Sequence, residues 1–196
     1  MPKLGMEPIR KEALVRATIA EIGANGSLDV TVAQIARRAG MSSGLAHHYF
    51  GGKEDMFLAA MRHTLSVYAA EVRGALTMAS SPHERVEAIV RAGFSQSNFR
   101  KDVLAAWLNF YVLANTNEHA HRLLVIYQSR LRSNLRHALR SNFGPKATEL
   151  ANRLAALIDG VYLQVGLTQD SPDRDAAVHL VLHAIACEPV VGSDAS

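Results

Sequence analysis

Two sets of residues in this 196-residue chain have the types and spacing to do chemistry. The first is Ser43, Gly44, His47 and His48, which share the outward side of a short helical stretch whose Leu45 and Tyr49, four apart, can pack inward. Small and hydrogen-bonding side chains on an exposed helix face suit close approach to base edges in a major groove about 12 Å wide. The second set is aromatic. Trp107, Phe110 and Tyr111 stand at i, i+3 and i+4 on one helix face, Tyr127 and Tyr162 lie on later helices, and Asp159 sits three residues before Tyr162. An apolar cage with one carboxylate suits a quaternary ammonium ion, whose charge must be met by ring faces because it has no N–H to donate. Plain core packing explains the same stripe, and the pattern alone leaves both readings open.

Other chemistries find little support. Nine histidines invite a metal, but His179 with His183, and His119 with His121, lack a third ligand at suitable spacing, a cysteine cluster or a His-Glu-x-x-His pattern. No metal and no cofactor is expected. A nucleophile with its base, a glycine-rich phosphate loop or paired carboxylates would mark an enzyme, and none stands out.

The elements that must hold the first set run from Thr31 to Lys53. Thr31 and Gln34 have capping-box spacing. Val32, Ile35, Ala36 and Ala39 give a first short helix its apolar face, Gly40 ends it, and Ser42 or Ser43 caps the second. Two short helices joined by a tight turn form a helix-turn-helix. A first helix over Pro8 to Ala24, with Val15, Ile19 and Ile22 in register, buttresses it, and Lys3 and Arg10 at that helix's start can reach phosphate. Gly51-Gly52 breaks the second short helix, and Lys53 opens a long one to about Met78. A lysine at a helix start opposes the dipole, whereas a nearby phosphate would reverse that sign.

The run T-V-x-x-I-A-x-x-A-G-M-S-x-G, followed by H-Y-F-G-G-K, resembles the DNA-binding segment of TetR-family repressors. Islands along the chain resemble more narrowly the choline-responsive BetI-type repressors of glycine betaine synthesis. They include Pro2-Lys3, Gly5-Met6, Pro8-Ile9-Arg10, His48 to Lys53, Met61-Arg62-His63, Trp107-Leu108 with Phe110, Ser133-Asn134-Leu135, and Ala155 to Gly160. A departure falls at His47, where the usual family residue is tyrosine. The resemblance implies DNA contacts from Lys3, Arg10, Thr31, Ser42, Ser43, Gly44, His47, His48, Tyr49 and Lys53. It also implies a ligand site for choline or another quaternary ammonium at Trp107, Phe110, Tyr111, Tyr127, Asp159 and Tyr162. The alternative is a TetR-family repressor of another pathway with an unrelated apolar or cationic ligand.

The rest of the chain reads as helices. Ser81-Pro82-His83-Glu84 opens one to about Ser95; others run from Lys101 to Ala114, Glu118 to Asn142, Lys146 to Gly166, and from Ser171-Pro172 through Cys187. The expectation is an all-α fold of about nine helices. Its divisions are a helix-turn-helix DNA-binding domain over residues 1–52, a ligand-binding and dimerisation body over 53–188 and a flexible tail over 189–196. Leu154, Ile158, Val161 and Val165, with Val178, Val181, Leu182 and Ile185, give the last two helices apolar faces. Family relatives use such a pair to form a four-helix interface with a second copy; burial against the chain's own body is the competing reading. A homodimer would set two heads on operator half-sites one helical turn, about 34–36 Å, apart in double-stranded DNA.

Charge agrees with this layout. Net charge is +3, and residues 1–53 hold seven Lys/Arg against four Asp/Glu, while the remainder holds fourteen of each. The excess lies where phosphate would be met. Hydrophobic content of 48% is ample for a core, yet no apolar run reaches the roughly 18 residues of a membrane span. The absence of a leader pattern makes the cytoplasm the expected location, and Cys187, alone in an apolar stretch, reads as a buried inert thiol.

Overall fold

The computed structural model describes residues 5–168, 170–186 and 188, so Lys3, Cys187 and the tail 189–196 lie outside the described residues. Among those described there are nine α-helices, one 3-10 turn and no strand, as the sequence predicts. They are α1 (Met6–Asn25), α2 (Val32–Arg38), α3 (Ser43–Phe50), α4 (Lys53–Met78), α5 (Pro82–Gly93), α6 (Lys101–Leu113), α7 (Glu118–Phe143), the 3-10 turn Gly144–Lys146, α8 (Ala147–Gly166) and α9 (Arg174–Ala186). The chain divides into two compact units: Met1–Leu65 with Lys101–His121, and Ser66–Arg100 with Arg122–Ser196.

In the first unit α1 buries Leu14, Val15, Ile19 and Ile22 and ends at Gly26, whose φ of +65° is the left-handed conformation glycine adopts without penalty. Helix α6 packs on α1. The approach is close at Gly23: a Cβ there would lie 2.4 Å from the Asp102 Cβ and 2.5 Å from its Cα. Only the missing side chain lets the two backbones meet. Asn109 Nδ2 adds a hydrogen bond to the Gly26 carbonyl, 3.2 Å away.

In the second unit α5 begins with the expected capping box. Ser81 accepts from the Glu84 amide, and Glu84 accepts from the Ser80 amide at 2.7 Å and from that of Ser81. The Ser80 N–H bond is the main reason that the exposed Glu84 carboxyl sits below its ordinary range. The turn after α5 is held by Glu71 of α4, which accepts from Ser95 Oγ and Asn98 Nδ2, each at 2.6 Å, and from Ser97 Oγ. Helix α9 starts later than Ser171-Pro172 suggests, because Asp173 caps it by accepting from the Ala176 amide at 2.9 Å.

Packing of α9 on α5 and α8 changes the reading of the end helices. Leu154, Ile158, Val161, Val178, Val181 and Ile185 are buried by the chain's own residues, and Val165 and Leu182 are half-buried. The apolar faces expected to await a second copy are therefore largely occupied within the unit. What α8 and its end leave outside is Leu163 and Leu167, 50% and 72% exposed, and what α9 leaves is Leu180 at 47%.

Gly23→Ala should lower stability by about 1–3 kcal/mol, the usual cost of forced overpacking, because the new methyl meets backbone. Gly74→Ala, in the last turns of α4 with nothing within 4 Å of its Cβ position, should leave stability unchanged or raise it by up to about 1 kcal/mol. Urea denaturation of both variants beside the parent checks the pair.

Candidate nucleic-acid interface and ligand residues

Side chains cap the starts of α2 and α3, and glycine turns close their ends. Thr31 Oγ1 accepts from the Gln34 amide at 3.2 Å, and Gln34 Oε1 accepts from the Thr31 amide at 2.6 Å. At the other end Gly40, with φ +69°, closes a Schellman motif: its N–H reaches the Arg37 carbonyl, and the Met41 N–H reaches that of Ala36. Ser42, rather than Ser43, caps α3 by accepting from the Leu45 amide at 3.2 Å.

Helix α3 then sits on Ala46, which is fully buried, while Leu45 and Tyr49 are half-buried. Ser43, Gly44, His47 and His48 are exposed, as expected from the spacing. Ala46 is the seat that sequence reasoning missed; an alanine carries too weak an apolar signal to reveal a core position. Its small size sets how closely α3 lies to its support. Arg38 at the end of α2 is tied to the mostly buried Glu21 of α1 through a 2.6 Å bond to Oε1, so the turn is braced from behind.

The remaining residues assigned to DNA are placed as follows. Arg10 of α1 donates to the Tyr49 hydroxyl at 3.4 Å, and Lys11 Nζ lies 5.9 Å from the centre of the Tyr49 ring. Lys53 is exposed; its Nζ donates to the Leu28 carbonyl at 3.3 Å and lies 5.7 Å from the Phe57 ring centre. Thr31 and Ser42 are exposed as well as capping. An exposed, cationic and hydroxyl-bearing edge around an outward helix is what phosphate positioning with base readout requires.

The aromatic residues fall into both units. In the first, Trp107 packs against Phe110 and Tyr111 with ring centres 5.7 and 5.9 Å apart; Trp107 and Phe110 are buried and Tyr111 half-buried. In the second, the Tyr127 hydroxyl donates to Asp159 Oδ1 at 3.5 Å, the long end of the hydrogen-bond range. Tyr68 of α4 meets the Tyr127 ring edge-on at 5.7 Å. Sequence reasoning missed Tyr68, because nothing in its spacing links it to partners on α7 and α8. Burial, then the negative charge of Asp159, pushes the Tyr68 phenol up from its usual pKa. Tyr162 has other business. It packs with Phe94 and Phe99, its hydroxyl donates to the Gly93 carbonyl, and burial is again the main cause of its raised pKa.

A groove between α7 and α8, of about 530 Å³, is lined by Gln128, Leu131, Arg132, Asn152, Ala155, Ala156 and Asp159. It holds the carboxylate and a guanidinium but no aromatic ring, so it is not a cation cage. His179 and His183 stack on α9 with ring centres 5.8 Å apart. Among the described residues no group of three or more His, Cys, Asp or Glu is arranged to hold a metal ion, and no helix is long and apolar enough to cross a membrane.

A helical head with a capped, braced helix-turn-helix and a polar outward face defines a DNA-binding regulator. Comparison with known proteins agrees. Residues 14–60 match the family of bacterial regulatory proteins of the TetR family, and residues 82–188 match the C-terminal region of BetI-type transcriptional repressors. The HTH-type transcriptional regulator BetI of Brucella melitensis is 47% identical over 189 residues, 96% of each chain. That of Agrobacterium fabrum is 48% identical over 168 residues, covering 85% of this chain and 82% of its own. Among solved structures, a transcriptional regulator from Saccharomonospora viridis in complex with choline has a TM-score of 0.81 at 22% identity, over 92% of this chain and 97% of its own. A regulator from Pseudomonas aeruginosa PAO1 has a TM-score of 0.76 at 26% identity, over 93% and 91%. The chain belongs to the TetR family, as a BetI-like transcriptional repressor. It is a regulator and not an enzyme.

Ala46→Leu should destabilise the protein by about 1–3 kcal/mol, since the added carbons have no space beneath α3. His48→Ala, at an exposed position, should stay within about 0.5 kcal/mol of the parent. Thermal unfolding of both variants by circular dichroism separates the two.

Proposed function

We propose that this protein is a cytoplasmic, dimeric repressor of genes for converting choline to glycine betaine. In this reading it binds double-stranded operator DNA and is released by choline or a related quaternary ammonium ion. The observation that carries the reading is the likeness to BetI regulators along 96% of the chain, together with the exposed Ser43, Gly44, His47 and His48 on a braced α3. Residues 1–52 read DNA, with Arg10, Tyr49 and Lys53 at the phosphates and Lys3 reaching out from the terminus. Residues 53–188 take the ligand and the second copy.

Two separate groups support the effector reading, the rings of Trp107, Phe110 and Tyr111 in the first unit and Asp159 with Tyr127 in the second. The Saccharomonospora protein, which holds choline, shares the fold. A cation is better matched on the tyrosine side of Asp159 than in the α7–α8 groove, where Arg132 would repel it. Release requires the ligand to bind the DNA-competent and released states unequally; a ligand equally at home in both would shift nothing.

The dimer in this reading uses the outward sides of α8 and α9, with Leu163, Leu167 and Leu180 at its centre and the half-buried Val165 and Leu182 beside them. Exposed leucines on neighbouring end helices are what an interface between copies covers. Sedimentation at micromolar concentration should give a dimer. Leu163→Glu with Leu180→Glu should give a folded monomer, and a monomeric parent would remove this part of the reading.

Choline should displace the protein from DNA carrying the control region of its own neighbouring genes. Its uncharged isostere 3,3-dimethylbutanol should do so at least tenfold less well. Trp107→Ala should weaken the choline response more than Trp107→Phe, since a desolvated ring face is worth about 2 kcal/mol to a cation. Fluorescence anisotropy of labelled DNA under titration measures both. Equal potency of the neutral analogue would point instead to an unrelated apolar effector.

A further inference from the structure

The recognition helix ends in an unusual way. Gly51 has φ +76° and ψ −57°, and the Gly52 N–H donates back to the Phe50 carbonyl at 2.9 Å. This is a γ-turn of the rare positive-φ kind, which a glycine tolerates and an L side chain resists. The turn swings the Gly51 carbonyl toward α3, where it lies 2.8 Å from His47 Nδ1. The Gly51 N–H meanwhile donates to the His47 carbonyl at 2.7 Å. Histidine and glycine are thus joined twice, once through backbone and once through the ring.

A carbonyl oxygen can only accept, so Nδ1 must carry the proton. In a neutral imidazole the other nitrogen then has none and is an acceptor. His47 is exposed on the outward face of α3, with Nε2 as the ring nitrogen left over for a partner. We infer that His47 reads an amino group on a base edge in the major groove, the N4 amine of cytosine or the N6 amine of adenine, through the lone pair on Nε2. Guanine offers only acceptors, N7 and O6, on that edge, and phosphate oxygens likewise only accept. The γ-turn at Gly51 acts as the positioning element, because its carbonyl selects the tautomer. The inference rests on the operator-binding reading above and goes beyond it in naming the chemical group that His47 recognises.

Two measurements test it, both on the full chain at pH 8, above the ordinary imidazole value of about 6.5. Nitrogen-15 NMR of the imidazole should show His47 protonated at Nδ1 and bare at Nε2, and Gly51→Ala should abolish that preference. Separately, high-affinity sites are selected from random DNA. Each adenine is then replaced by purine, which lacks the N6 amine, and each cytosine by the pyrimidinone that lacks the N4 amine. At one position per half-site the replacement should weaken the parent about five- to tenfold, the worth of one hydrogen bond, and leave His47→Ala unaffected. The salt dependence of binding should be the same for parent and His47→Ala, since no phosphate contact is lost. A selection that enriches no sequence overturns the operator reading itself. A His47 protonated at Nε2, or analogue costs that are equal in parent and His47→Ala at every position, overturns this assignment alone.

Discussion

An eight-residue helix has almost no stability of its own in water, because nucleation fixes several residues for each hydrogen bond gained. Helix α3 is that long, and half of it must stay polar and outward. Everything around it answers this constraint. Ser42 satisfies an amide at the start, Gly51 turns the chain back at the end, and Ala46 is the one fully buried contact that seats it. Helix α2, itself seven residues, is closed at both ends by the Thr31–Gln34 box and the Gly40 motif, and anchored by the Arg38–Glu21 pair. The outward face can then be composed for DNA rather than for folding.

The second unit solves a different problem, that of placing half-buried carboxylates. Glu71 is met by three side-chain donors from a single turn, Ser95, Ser97 and Asn98, so its charge is spread over neutral hydrogen bonds. Asp159 accepts from the Tyr127 hydroxyl at 3.5 Å. Its negative field reaches Tyr68 and Tyr162 and helps to keep both phenols protonated. Glu71 is thus a structural group that fixes the turn after α5.

Much of this was legible in the residues, for identifiable reasons. Capping boxes are local codes, written over four residues, and both Thr31–Gln34 and Ser81–Glu84 form as read. The outward set on α3 followed from helical spacing alone. What failed was whatever depended on distant parts of the chain. The apolar faces of α8 and α9 were legible but what covers them was not. Spacing left a second copy and the chain's own body both open, and packing on α5 and on each other buries residues such as Val181 and Ile158 within the unit. Tyr68 and Ala46 escaped for the same reason. One is identified only by a neighbour far along the sequence, the other only by how closely two helices approach.

The Gly23–Asp102 contact has a consequence in time as well as in space. The unit that carries the helix-turn-helix is discontinuous: α6, which covers α1, is encoded after α4 and α5. During synthesis α2 can pack on α1 at once, but the part of α1 that α6 covers must wait while the intervening helices emerge from the ribosome. Closing so long a loop is slow compared with forming the local turns of α2 and α3. The DNA-reading motif is thus assembled early in outline but secured late, and the nascent head is open to chaperones and proteases until Asp102 arrives against Gly23.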